Sequence, residues 1–167
     1  MPQIKIRNCV LMTMVLGGGI LSPGIAQARE CNTGRSYVTV TATSLLFTVY
    51  TPSTPAPLQS NVSVTAACAG NNRGSPKLPP FTVAISTGFG SYTQRVMTKG
   101  SASLNYQIYT GASLTMVWGD GTGNTSTISG GNNGTNSQTI IGYGSIPPGQ
   151  YVNPGVYTDR ITVTVIY

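Results

Sequence analysis

The sequence has no histidine, and only three of its 167 residues are acidic. The first absence removes the commonest general base and the commonest neutral metal ligand. The second leaves too few carboxylates for a paired acid–base site or a calcium cage. Charged residues make up 7% of the chain, against about 25% in an ordinary soluble domain. A hydrophobic content of 40% with so little charge excludes intrinsic disorder. Good helix formers are scarce beside 21 glycines, 11 prolines and abundant Thr, Ser and Asn, so a helical bundle is excluded as well. No apolar run is long enough to cross a bilayer. The longest, Cys9 to Leu21, has 13 residues, where a spanning helix takes about 20.

That run has a different explanation. Lys5 and Arg7 precede it, and Ala26-Gln27-Ala28 follows as a small-residue cleavage site. Residues 1–28 therefore read as a secretory signal peptide. The expected product passes through the inner membrane to the periplasm, and from there to the cell surface or the medium. Removing 28 of the 167 residues leaves 139, with a net charge of +4 and two cysteines. Cys31 and Cys68 form the only possible intrachain disulfide, in a compartment that permits one. Two free thiols, or pairing between chains, are the competing readings.

The mature chain, residues 29–167, alternates apolar and polar residues between Gly/Pro-rich turns, the pattern of an all-β domain. Strands are expected over 36–43, 45–50, 61–68, 81–85, 92–97, 104–109, 114–118, 124–128, 139–143 and 156–167. Val62, Val64, Ala66 and Cys68 share one face, and Phe81, Val83 and Ile85 another. Leu114, Met116 and Trp118 alternate in the same way. Nine or ten short strands at this spacing mean a sandwich or barrel. The last strand is the most hydrophobic, with Ile161, Val163, Val165 and Tyr167 on one face. It is expected to lie inside a sheet with neighbours on both edges.

Chemical motifs are few. Gly119-Asp120-Gly121 reads as a turn rather than a calcium site, because Asp120 is the only nearby carboxylate. A serine nucleophile would need a base, and the lysines Lys77 and Lys99 sit in Gly/Pro-rich loops. No enzymatic activity, cofactor or metal is expected. Arg35, Arg73, Lys77, Arg95, Lys99 and Arg160 are scattered and read as solubilising surface charges, so no nucleic-acid partner is expected. Asn61, Asn124 and Asn133 match the glycosylation pattern, as chance would produce in so Asn/Ser/Thr-rich a chain.

Several segments, in order, resemble the spore coat protein U domain family, which includes subunits of archaic, Csu-type chaperone–usher pili. They are Val62 to Cys68, Arg95-Val96-Met97, Leu104 to Tyr109 with Tyr106, and Val117-Trp118-Gly119-Asp120-Gly121. The C-terminal block is Tyr143-Gly144, Ile146 to Gln150 with Gly149, and Gly155 to Asp159 with Tyr157, continuing from Arg160 to Tyr167. The resemblance covers essentially the whole mature chain. It implies an immunoglobulin-like β-sandwich lacking its last strand, with structural roles for Arg95, Tyr106, Trp118, Gly119, Asp120, Gly121, Tyr143, Gly149, Tyr157 and Asp159. It implies a groove lined by Val38, Val40, Ile161, Val163, Val165 and Tyr167. A periplasmic chaperone fills that groove with a donated strand, and at the outer-membrane usher a neighbouring subunit replaces it.

The chain departs from the family pattern twice. Phe47-Thr48-Val49-Tyr50 stands in place of Phe-Gly-x-Tyr, and Cys31 lies 16 residues before Phe47, further than in the family. Only Arg29-Glu30 precedes Cys31 in the expected mature chain, so it is read as accepting a strand without donating one. That suits a position at or near a fibre tip. Alternatively, residues 36–43 are themselves the donor strand. The expected function is that of an exported structural pilus subunit, with a tip adhesin using loops such as 119–124, or a self-contained coat protein, as alternatives.

Overall fold

In the computed structural model, which describes residues 13–17, 31, 36–70, 76–131 and 134–167, the alternating segments form two stacked sheets. The strands are β1 (Thr13–Gly17), β2 (Ser36–Ala42), β3 (Leu58–Gly70), β4 (Phe81–Ile85) and β5 (Arg95–Lys99). They continue as β6 (Ala102–Tyr109), β7 (Ile128–Gly130), β8 (Ser137–Ile146) and β9 (Thr162–Ile166). One sheet has the order β1-β9-β4-β7 and the other β2-β3-β8-β6-β5. Every pairing between named strands is antiparallel except β1 with β9. The described residues form no helix, so none is long and apolar enough to cross a membrane. The charged n-region, the cleavage site at 26–28, Arg35, Arg73 and Asn133 lie outside the described residues.

Period-two alternation becomes burial where it is cleanest. Val62, Val64 and Ala66 of β3 are buried, and Cys68 packs against the same core. Phe81, Val83 and Ile85 of β4 are buried, as is Ala84. The β5–β6 hairpin closes around Lys99-Gly100, with Gly100 at φ 58° and Lys99 opposite Ala102. Gly142 and Gly144 of β8 leave room for the core. A Cβ on Gly142 would stand 2.4 Å from the Trp118 indole, and one on Gly144 would stand 2.7 Å from Leu45.

Two expected strands, and the first part of a third, are not strands. Residues 43–49 leave the ladder after Thr43 bonds Ser63. The Ser60 hydroxyl takes the Leu46 carbonyl instead, and Leu45 and Phe47 plug the space over Gly144. The 114–118 segment holds only isolated bridges, Tyr109 to Val117 and Trp118 to Ser126. Leu114 closes a tight turn onto Gly111 at φ 54°, so Met116 faces solvent rather than the core. Over 156–161 the chain bridges to Thr98 of one sheet through Thr158, then crosses to the other sheet before β9 begins. The remaining differences are shifts of strand ends. β3 and β8 are longer than expected, β5 starts at Arg95, and β7 replaces 124–128 because Asn124 turns at φ 63°.

Candidate functional site

β9 carries the apolar face anticipated at the C-terminus. Ile161, Val163 and Val165 are buried, while Thr162 and Thr164 between them are half-buried. Burial of three such side chains is worth roughly 1.5–3 kcal/mol each. Along one edge β9 pairs with β4, Val83 opposite Val165 and Ile85 opposite Val163. Along the other it pairs in parallel with β1, Thr13 opposite Thr162 through Gly17 opposite Ile166. Both edges are occupied, but one neighbour belongs to the segment read as a leader. Tyr167 ends the strand beside Phe81, ring centroids 6.4 Å apart. Its hydroxyl has no hydrogen-bond partner among the described residues, and burial pushes the phenol up to about 12.

Val38 and Val40 lie elsewhere. They sit on β2, opposite Cys68 and Ala66, in the five-stranded sheet. Val38 is buried and Val40 partly so, in the same core cluster as the β9 valines. The structure thus places the expected groove residues on two different sheets. Cys31 and Cys68 are joined in a disulfide with Cα atoms 6.1 Å apart, and Cys31 is buried. The bridge ties residue 31 to the inner face of β3, despite the distance of Cys31 from Phe47 in sequence.

A second cluster holds the crossing that leads into β9. Arg95 is not a surface charge, as its scatter in sequence suggested, but fully buried. Its guanidinium donates to the Ser86 carbonyl at 2.9 Å, the Trp118 carbonyl at 2.8 Å and the Gln107 side-chain oxygen. It also stacks 5.4 Å above the Tyr92 ring. Burial holds the Arg95 pKa below its usual value. The planar fork suits this task, since one side chain satisfies carbonyls from three directions. Asp159 is also buried. It accepts from the Phe89 amide at 2.9 Å, the Arg160 amide at 2.7 Å and the Tyr106 hydroxyl at 2.7 Å. Burial raises the carboxyl pKa, with those hydrogen bonds opposing the shift, and the Tyr106 phenol is pushed up strongly by burial and by Asp159.

The remaining motif residues are dispersed. The Trp118 indole donates to the Val83 carbonyl at 2.9 Å, linking the core to β4. Gly119 accepts from Ile85 and donates to Ser126. Asp120 takes the Thr122 amide and hydroxyl at 2.9 and 2.6 Å, the geometry of a self-capped turn, and these bonds lower its pKa. Gly121 turns at φ 89° and Gly149 at φ 79°. Tyr143 lies on β8 opposite Asn61 and Tyr109. Tyr157 is buried, its hydroxyl on the Asn153 carbonyl at 2.8 Å. Gln107 and Gln150 lie in the segments that carry the resemblance but were given no role, and Ser86 was not singled out. The Gln150 amide pairs with both backbone groups of Asn105, at 2.8 and 2.9 Å, as a strand would.

No group of three or more metal-ligating side chains occurs among the described residues. The chemistry of the site is that of backbone pairing and apolar burial.

Comparison with known proteins agrees with this architecture. No curated protein matches the chain. Among solved structures, it is similar to the CsuC-CsuE chaperone-tip adhesion subunit pre-assembly complex from archaic chaperone-usher Csu pili of Acinetobacter baumannii. The match has 23% identity and a TM-score of 0.51, and covers 79% of this chain and 40% of that one. At this identity the likeness establishes the immunoglobulin-like sandwich. The family model for the Spore Coat Protein U domain matches residues 21–164. With nearly the whole sandwich inside that match, the chain belongs to the Spore Coat Protein U domain family.

Proposed function

We propose that this chain is an exported structural subunit of a chaperone–usher surface pilus, accepting a donor strand beside β9. The observation that carries the reading is the pairing of β9. Among the described residues of the expected mature chain its only ladder partner is β4, and its other edge is occupied by residues 13–17. Cleavage at 26–28 leaves that edge without its partner, and an edge of unpaired backbone beside buried valines is a template for an incoming strand. Backbone hydrogen bonds supply affinity there, and alternate apolar side chains supply register. The partners are a periplasmic chaperone, an outer-membrane usher and neighbouring subunits. The solved complex similar to this chain is one of a chaperone with a tip adhesion subunit, which supports a position at or near the fibre tip.

The test is Val163→Asp. Val163 is fully buried on β9, and an aspartate there places an unpaired charge in the apolar face. Co-purification of the exported chain with its chaperone is expected to be lost, while Ile166→Lys, at an exposed position of the same strand, retains it. Equal recovery of all three complexes refutes strand acceptance at β9.

A further inference from the structure

We infer that the outer face of β6 carries a binding site for a neutral sugar, walled by prolines and separate from the edge at which a strand is accepted.

A cavity of about 350 Å³ opens over this face, within the usual range of small-molecule sites, roughly 300–1,000 Å³. Leu104, Tyr106 and Ile108 of β6 are buried in the core, and Asn105, Gln107 and Tyr109, which alternate with them, line the cavity. Ser145 of β8, opposite Gln107, extends this floor. Pro147 and Pro148, just past the end of β8, form a wall on one side, and Gln94, just before β5, stands on the other. The wall is set before any ligand arrives. The Pro147 carbonyl accepts from the Tyr50 hydroxyl at 2.9 Å and from the Gln150 side-chain amide at 3.2 Å, and that amide also holds the Asn105 backbone. The Gln107 side chain is committed to Arg95 and the Tyr92 carbonyl.

The other polar groups are uncommitted. The side-chain amides of Asn105 and Gln94 and the hydroxyls of Ser145 and Tyr109 have no hydrogen-bond partner among the described residues. Ser145 is only 7% exposed, so its hydroxyl is a buried donor and acceptor facing a cavity. No lining residue is charged, so nothing here compensates an ionic ligand for its lost water. A wholly apolar ligand would leave the amides and hydroxyls stranded. A pyranose meets both conditions. Its hydroxyls pair with the amides and hydroxyls, and its C–H faces pack on the Tyr109 ring and the prolines. β6 belongs to the five-stranded sheet and β9 to the other, so a strand bound beside β9 leaves this outer face open.

The test uses the exported chain in the form recovered, alone or bound to its chaperone, with the chaperone by itself as control. The probes are the methyl glycosides of glucose, galactose and mannose, with N-acetylneuraminic acid as the charged counterpart. Saturation-transfer NMR and titration calorimetry are expected to show binding of at least one neutral glycoside. Its affinity is expected to fall about tenfold or more in Asn105→Ala and in Tyr109→Ala. Ser145→Ala, the smallest change, should weaken it in the same direction, while Ser103→Ala, at an exposed position of β6 outside the cavity, leaves it unchanged. Melting temperatures show that each variant compared is folded. No transfer to any neutral glycoside, an affinity indifferent to all three cavity variants, or an equal response to the charged sugar overturns the inference. Self-association abolished by Tyr109→Ala, with no sugar signal, assigns the cavity to a second copy of the chain and overturns it as well. None of these outcomes alters chaperone capture at β9, so failure here is distinguishable from failure of strand acceptance.

Discussion

Asp159 gathers three donors at the point where the chain leaves Thr98 and crosses to β9. Its carboxyl pKa is raised above the ordinary 3.8, with burial the largest cause. Between the ordinary value and the raised one, the native state binds more protons at this group than the unfolded chain does. Stability from this group is present at low pH and is lost as pH rises through the folded pKa. Asp120 acts in the opposite sense: hydrogen bonds from Thr122 lower its pKa, so its contribution is present above 3.8 and lost as pH falls through the folded value. Asp159→Asn is expected to remove the first dependence. The urea midpoint of the wild type should gain on that of the variant as pH falls from neutral toward 4; a constant difference across that range contradicts the assignment. Gly142 is the other decisive position. A methyl group there meets the Trp118 ring at 2.4 Å, in a core where neither the indole nor β8 has room to move. Gly142→Ala should cost about 1–3 kcal/mol in equilibrium unfolding, and a neutral result would mean that the indole is not wedged between the sheets.

At the scale of elements, legibility follows from where burial and pairing coincide. β3, β4 and β9 were readable because alternation, ladder and core face agree along their length. Residues 45–50 and 114–118 were misread because Leu45, Phe47 and Trp118 are buried without a regular ladder. Period-two spacing reports burial and is silent about the partner strand. The polar cluster was only half legible. Arg95 and Asp159 belong to the motifs that carry the family resemblance, yet composition alone made Arg95 a surface charge, since nothing local marks a cation whose partners are carbonyls 9 and 23 residues away. The disulfide was legible by count but not by spacing. It joins residues 37 apart, a loop whose closure is worth about 3–4 kcal/mol in the chain-entropy description. Cys68→Ser is expected to lower the unfolding free energy by about that amount, read as a lower denaturant midpoint at unchanged slope, and to reduce the yield of exported protein. Equal midpoints and yields would show that the fold does not depend on the bridge between residue 31 and β3.

At the scale of the molecule, the sandwich is asymmetric. The five-stranded sheet is built wholly from residues 36–146, whereas the four-stranded sheet draws one edge from residues 13–17. The domain expected after processing thus keeps its polar anchor at Arg95 and Asp159 but loses one of the two ladder partners of β9. Incompleteness of the mature sandwich is the central claim. It is tested most directly by exporting the chain with and without a co-expressed periplasmic chaperone and measuring recovery of stable, monodisperse protein. Degradation alone and recovery as a one-to-one complex are the predicted result. Equal recovery of a soluble, cooperatively folding chain without the chaperone would contradict it, and would mean that residues 29–167 close their own core.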